Sequence, residues 1–135
     1  MTAQGPIKVS PQITPLSAPY WEGCLQGELR LQYCGDCDCF QFYPRINCSH
    51  CGSADMQWKR ASGLGRIASY IIVRRGISKA YEAPYVVALI DLEEGPRMMS
   101  NIICERPDEL VIGLAVTVQF EQWNEELMLP VFSLE

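Results

Sequence analysis

Short apolar runs and alternating apolar and polar positions fill the second half of the chain, and both features are typical of β-strands. Gly63 and Gly65 are expected to kink the first strand as a bulge does. A segment that starts with Pro and ends with Gly, at 107–113, predicts one or two helical turns between the third and fourth strands. This order of elements predicts an OB-type barrel. Its five strands are predicted at residues 56–73, 85–92, 98–104, 116–120 and 127–132.

A short helix is predicted ahead of the strands, with Ser17 placed to cap its start. Tyr20, Trp21, Cys24 and Leu25 fall on one side of this helix. Because a helix of about two turns is unstable alone, that side must dock on the chain's own domain or on a second subunit. Tyr20 and Trp21 are therefore candidate residues of a partner interface.

The pattern divides the chain into three parts. Residues 1–28 form an extended arm and the docking helix; the four prolines of the arm are typical of a mobile tail or of an arm that lies on a partner. Residues 29–55 begin with a strand at 29–33 and contain most of the cysteines, and residues 56–135 form the barrel. The predicted fold class is mainly β, with a short N-terminal helix, a four-cysteine ribbon and a five-stranded barrel.

Four cysteines are spaced as two C-x2-C pairs with ten residues between the pairs. Each pair can form one tight knuckle, and two knuckles can close a tetrahedral shell of four thiolates around one ion. Zinc is the expected structural ion, and iron in a rubredoxin-like electron-transfer site is the alternative that the sequence leaves open. The predicted metal ligands are Cys34, Cys37, Cys48 and Cys51.

The remaining titratable residues do not form a catalytic set in the sequence, so no catalytic residue is predicted. Cys24 and Cys104 fit small buried side chains, and Cys39 fits a free thiol. His50 lies inside the second C-x2-C pair, where it suits a surface position better than a general base.

The 135 residues carry 11 Lys and Arg against 16 Asp and Glu, which gives a formal net charge of −5. This balance disfavours binding to long nucleic acids. The basic residues nevertheless concentrate between 59 and 79, where they either pair with the acidic half of the chain or bind a small polyanion such as the phosphates of coenzyme A. The candidate coenzyme A residues are Arg66, Arg74, Arg75 and Lys79.

A single-stranded nucleic-acid binder is the alternative function, because OB barrels and zinc ribbons serve that role elsewhere. Trp58, Tyr70, Tyr81 and Tyr85 would then stack on bases, although such aromatic residues more often fill a barrel or an interface.

The longest apolar run, at 85–90, is too short to cross a bilayer, and no signal peptide opens the sequence. With an odd number of cysteines, seven, metal ligation is favoured over a disulfide framework. A cytoplasmic protein with no membrane partner is therefore expected.

Several separated motifs, together with the two cysteine pairs, resemble a known family. They are PYWEG at 19–23, GEL at 27–29, YPR at 43–45, SGLG at 62–65, APY at 83–85, LEEGPR at 92–97 and LPVF at 129–132. Over residues 17–134 the chain resembles the acyl-CoA-associated OB-fold proteins that carry an N-terminal rubredoxin-like zinc ribbon, formerly a family of unknown function. One departure is Asp38, where the family usually has glycine.

This resemblance implies an accessory subunit of a thiolase-like or aldolase-type enzyme. In such assemblies the larger subunit supplies the nucleophilic cysteine and the histidines. The small subunit supports the complex and can line the passage for the acyl-pantetheine arm. The resemblance thus implies a non-catalytic, zinc-binding partner of an acyltransferase or of an enzyme that forms or cleaves C–C bonds.

Overall fold

The computed structural model describes residues 10–75 and 84–134, and the fold they form is mainly β, as predicted. One helix, α1 (Ala18–Leu25), comes first. No helix in the described ranges is long and apolar enough to cross a membrane. The strands are β1 (Arg30–Cys34), β2 (Phe40–Gln41), β3 (Met56–Arg60), β4 (Leu64–Val73), β5 (Tyr85–Leu92), β6 (Arg97–Ile103), β7 (Ala115–Gln122) and β8 (Met128–Leu134), with a 3-10 helix at Pro107–Glu109 between β6 and β7.

Strands β4 to β8 close into a barrel in the order β4-β5-β6-β8-β7. Strands β6 and β8 run parallel, and every other neighbouring pair in the barrel is antiparallel. Alternate residues point inward, so Ile90, Val116 and Phe132 are fully buried. The predicted five-stranded barrel with a helical turn between its third and fourth strands is confirmed.

The expected first barrel strand, 56–73, is two strands in different sheets. Strand β3 pairs along its whole length with β1, which lies between β2 and β3 in a three-stranded sheet. The chain then turns at Gly63, whose φ of +80° suits glycine, and a Cβ there would come within 2.5 Å of Cγ1 of Val118. The bulge lies between Ile67 and Ser69 rather than at 63–65.

Helix α1 has the predicted position, but Ser17 does not cap it. The Ser17 hydroxyl instead accepts a hydrogen bond from the backbone N–H of Thr14 at 3.0 Å, and Oγ1 of Thr14 accepts one from the Ser17 N–H at 3.1 Å. The buried side of the helix is also narrower than predicted. Tyr20 and Cys24 are buried, whereas Leu25 is 53% exposed.

The ribbon sheet and the barrel share one hydrophobic core. Leu29 and Leu31 belong to the same buried cluster as the barrel residues Ile67 and Phe132. The residue before β1 and the residue after β3 are also joined, because the Ala61 N–H donates a 2.7 Å hydrogen bond to the carbonyl of Leu29. The ribbon is therefore fixed against the barrel by packing as well as by the chain connection.

Candidate metal centre

The four predicted ligands meet at one point of the ribbon. The sulfur atoms of Cys34, Cys37, Cys48 and Cys51 all lie within 4.8 Å of one another. Two pairs are 3.6 Å apart: Cys34 with Cys51 and Cys37 with Cys48. A zinc–sulfur distance of about 2.3 Å in a tetrahedron places the sulfurs about 3.8 Å apart, so the cluster fits one tetrahedral ion.

The two knuckles repeat the same backbone hydrogen bond. The Asp38 N–H donates to the carbonyl of Cys34 at 3.0 Å, and the Gly52 N–H donates to the carbonyl of Cys48 at 2.9 Å. Backbone amides in the second knuckle also face a ligand sulfur. The N–H of Cys51 lowers the pKa of the Cys48 thiol to about 6, assisted by the His50 N–H 3.3 Å from that sulfur. These amides therefore favour the thiolate of Cys48, the form that a metal requires. The pKa of Cys51 is raised instead, because the lowering by the Ser53 N–H is outweighed by hydrogen bonding to the Cys34 thiol and by burial.

Asp38 and Gly52 occupy equivalent positions after the second cysteine of each knuckle, and both have positive φ, +57° and +79°. Glycine adopts this left-handed conformation freely, and aspartate is among the few other residues that tolerate it. The Asp38 carboxylate accepts a hydrogen bond from the Tyr33 hydroxyl. Asp38, which stands where the family usually has glycine, thus keeps the backbone conformation that glycine would adopt.

Behind the knuckles lies a buried amide pair that the sequence pattern did not reveal. Gln32 and Gln41 are paired across β1 and β2, with 3% and 5% of their surface exposed. The Gln32 side chain bonds both the N–H and the carbonyl of Arg45, at 2.8 and 2.9 Å. Oε1 of Gln41 accepts from the Ser49 N–H at 2.8 Å. These amides hold the segment that leads from β2 into the second knuckle.

The other three cysteines lie outside the four-sulfur cluster. Cys24 is fully buried in α1, and burial raises the pKa of its thiol to about 12. Cys104 is half-buried, and burial raises its pKa as well. The Cys39 sulfur lies 3.5 Å from the carbonyl oxygen of Cys37. The shifts at Cys24 and Cys104 oppose thiolate formation at neutral pH.

The residues predicted to bind coenzyme A do not form one cluster among the described residues. Arg66 donates to the carbonyl of Gly113 at 3.0 Å, and Arg74 pairs with Asp108 at 2.8 Å. Arg66 lies in β4, whereas Arg74 lies eight positions later, just past the end of this strand at Val73, and eight extended residues span up to roughly 25 Å. Arg75 is exposed beside Arg74, and Lys79 lies outside the described residues. Binding of coenzyme A by these side chains stays a prediction.

The predicted interface aromatics of α1 face mainly inward. Tyr20 is 7% exposed, and its ring packs edge-on against Trp21 and Phe42, with centroids 4.9 and 5.6 Å apart. Trp21 is half-buried. A partner would therefore reach Trp21 more readily than Tyr20, and their role at an interface stays a prediction.

Of the four aromatics considered for base stacking, Trp58, Tyr70 and Tyr85 are half-buried. The Tyr70 hydroxyl donates to the carbonyl of Leu110 at 2.7 Å. Tyr81 lies outside the described residues.

Two family models match the chain in succession. The ChsH2 rubredoxin-like zinc ribbon domain matches residues 21–57, and the ChsH2 C-terminal OB-fold domain matches residues 58–121. Among solved structures, a chain of the "Ltp2-ChsH2(DUF35) aldolase" superimposes with a TM-score of 0.85 and 37% identity, over 93% of this chain and 98% of that one.

Curated relatives agree with this match. A DUF35 domain-containing scaffold protein of Methanothermobacter thermautotrophicus is 37% identical over 95 residues, which are 69% of this chain and 71% of the relative. A probable enoyl-CoA hydratase alpha subunit of Thermomonospora curvata is 37% identical over 126 residues, which are 93% of this chain. The matched region is only 40% of that longer relative.

Proposed function

The chain belongs to the ChsH2 family of rubredoxin-like zinc ribbon and OB-fold proteins, and we propose that it is a non-catalytic scaffold subunit of an acyl-CoA-processing enzyme complex. Its partner is an aldolase-type or thiolase-like subunit that carries the catalytic residues. The observation that carries the proposal is the superposition of 93% of this chain on 98% of a chain in the structure titled "Ltp2-ChsH2(DUF35) aldolase".

An apolar surface on the barrel supports an assembly role. The register aligns Ile71 with Val87, and Leu89 with Met99, on the side of β4, β5 and β6 that faces away from the core. Ile71 is 61% exposed and Met99 55% exposed. Outward positions of a solvated barrel are usually polar, so adjoining apolar side chains mark an interaction site. We call this surface, formed by Ile71, Val87, Leu89, Met99 and Ile103, the outer barrel face.

The metal in this proposal is zinc with a structural role. A shell of four thiolates, when filled, offers no open coordination position for substrate. When bound, the ion joins the two knuckles and contributes its binding energy to folding. Iron in the same shell would instead make the chain a one-electron carrier, and that function is the competing assignment.

We place the complex in the cytosol. All seven cysteines are free thiols, and four of them must stay reduced to ligate the metal. A reducing compartment preserves them, whereas an oxidising one favours disulfides.

We also propose that this chain helps the acyl-CoA substrate reach the partner's active site. Arg74 and Arg75 lie together where β4 ends, and both side chains are solvent-accessible. We assign them to the phosphates of coenzyme A as it enters the partner's site, because clustered guanidinium groups bind phosphate well. The acyl chemistry itself belongs to the partner.

Co-expression with the aldolase-type or thiolase-like subunit encoded beside this chain tests the proposal. We expect one hetero-oligomer by size-exclusion chromatography with light scattering. A double variant of the outer barrel face, Ile71→Lys with Met99→Lys, should elute apart from the partner, while Gln119→Lys on β7 should still co-elute. A wild-type chain that elutes alone and leaves the partner's activity unchanged would show that the proposal is wrong.

A further inference from the structure

The segment between β2 and the second knuckle exposes large side chains on a fixed backbone. We call residues 42–47 the docking loop. Ile46 is 76% exposed and Tyr43 is 55% exposed. Arg45, between them, is also exposed. Tyrosine and arginine are the residue types that most often carry binding energy at protein interfaces.

The loop is held from below by the buried amide pair. One side chain, Gln32, bonds both backbone polar groups of Arg45. The Asn47 side chain donates to the carbonyl of Gly52 at 3.1 Å, which ties the end of the loop to the second knuckle. A loop fixed in this way loses little conformational entropy when it binds, so its contacts contribute more fully to affinity.

Tyr43 has a φ of +69°, a left-handed conformation that non-glycine residues rarely adopt. Such a conformation persists only where surrounding contacts impose it, and it is frequent at binding sites. Here the Tyr43 ring packs on Phe42, with centroids 4.7 Å apart, and 55% of the residue stays exposed. The strained backbone therefore leaves an aromatic side chain more than half exposed on a supported loop.

Charge indicates the kind of surface that the loop meets. Residues 40–50 contain Arg45 and no Asp or Glu, although the whole chain has a net charge of −5. Among the described residues, Arg45 is in none of the ion pairs, which involve Arg30, Arg60, Arg74, Arg97 and Arg106. An unpaired guanidinium between two exposed apolar side chains is complementary to an apolar pocket with a carboxylate at its rim.

We propose that the docking loop inserts Tyr43 and Ile46 into an apolar pocket of the enzyme subunit, with Arg45 bound to a carboxylate at the pocket's edge. This inference rests on the proposed function, because the occupant is the aldolase-type or thiolase-like partner. It adds a second contact site, on the ribbon, to the one on the outer barrel face. The fold of the ribbon thereby serves to present the loop rigidly.

The test uses the purified full chain and the purified partner subunit, with binding measured by calorimetry. Ile46→Asp should raise Kd at least tenfold, because it places a charge in the apolar pocket. The matched control is Ile112→Asp, since Ile112 is 67% exposed on the barrel and should leave Kd within twofold. Arg45→Glu should weaken binding and reverse the effect of added salt on it. Melting temperature and metal content should stay at wild-type values in all three variants, because the altered side chains are exposed.

The outcomes separate the two proposals. Failure of the wild-type chain to bind the partner overturns the proposed function and this inference with it. Equal affinity of the wild-type chain and Ile46→Asp overturns the docking loop alone. A wild-type dimer that Ile46→Asp dissociates would assign the loop to a second copy of this chain and overturn the enzyme pocket. Binding of a labelled single-stranded DNA that Arg45→Glu abolishes would overturn it too.

Discussion

The side-chain amide of Gln41 donates a 2.7 Å hydrogen bond to Oε1 of Gln32, and both side chains are at least 95% buried in the ribbon. The Gln32 amide then bonds the backbone of Arg45, in the segment between β2 and the second knuckle, and the Gln41 amide bonds the backbone of Ser49 inside that knuckle. Buried polar groups are stabilising only when all of them are paired. Moving that segment away from β1 and β2 would leave these amides unpaired, so the pair fixes its position.

Replacing Gln32 with Leu should destabilise the protein by about 2–3 kcal/mol, because the N–H and carbonyl of Arg45 would lose their partner. Urea unfolding of the metal-bound protein measures the change. Gln57→Leu is the control, since Gln57 is exposed on β3 of the same sheet. Equal destabilisation by both substitutions would contradict a specific role for the buried amides.

Replacing Cys48 with Ser should abolish metal binding, because one of the four thiolates is lost and the knuckles separate. Elemental analysis should give one zinc per wild-type chain and none per variant, and limited proteolysis should cut the variant within the ribbon. Cys39→Ser is the matched control, and it should keep one ion. Loss of the ion in Cys39→Ser would mean that the ligand set is wrong, and a red protein with one iron would favour the electron carrier.

Asp38→Gly should leave stability within about 0.5 kcal/mol of wild type, since glycine adopts the φ of +57° freely and offsets the lost hydrogen bond with Tyr33. Asp38→Val should cost about 1–2 kcal/mol, because a β-branched residue is strained in the left-handed region. Thermal unfolding of the two metal-loaded variants checks the difference. Equal melting temperatures would show that the backbone at this position is not strained.

The buried thiol of Cys24 should make the free energy of unfolding decrease as pH rises. Burial raises its pKa to about 12 in the folded chain, whereas the unfolded chain has the ordinary value near 9. Above pH 9 the unfolded state therefore loses a proton that the folded state keeps, so this thiol's contribution declines by up to about 1.4 kcal/mol per pH unit.

The measurement compares urea unfolding of wild type and Cys24→Ala at pH 8, 9.5 and 10.5. Subtracting the variant's free energy of unfolding from that of wild type at each pH removes the contribution of other groups. These groups include Tyr20, whose pKa burial also raises. If the difference in free energy of unfolding between wild type and Cys24→Ala stays constant from pH 8 to 10.5, the raised pKa of Cys24 is contradicted.

Arg74→Ala with Arg75→Ala should raise the KM of the complex for acyl-CoA and leave assembly intact, if these side chains meet the coenzyme's phosphates. Stability should change little, because the ion pair with Asp108 is largely exposed. Arg97→Ala, which breaks a comparable exposed pair with Asp91, is the control. Unchanged kinetic constants in the double variant would show that these arginines do not bind coenzyme A.

The sequence by itself determined which four cysteines could share a metal ion and that five strands with a helical turn between the third and fourth form a barrel. Two C-x2-C pairs define local knuckles whatever else the chain does, and alternating apolar residues place one face of each strand in a core. Both features depend on residues close together in the chain. The closed barrel confirms the second, and the four-sulfur cluster fits the first.

Only the tertiary structure decided how distant segments pair. It assigned β3 to the ribbon sheet, placed Gln32 beside Gln41, and put Arg66 and Arg74 near opposite ends of β4, with Arg74 just past its last residue. Strand pairing and register depend on contacts between residues far apart in sequence, and a polar residue in a strand looks exposed until its partner is known. For the same reason the docking loop depends on the fold, since only the pairing of β1 with β2 brings together the buried amides that hold it.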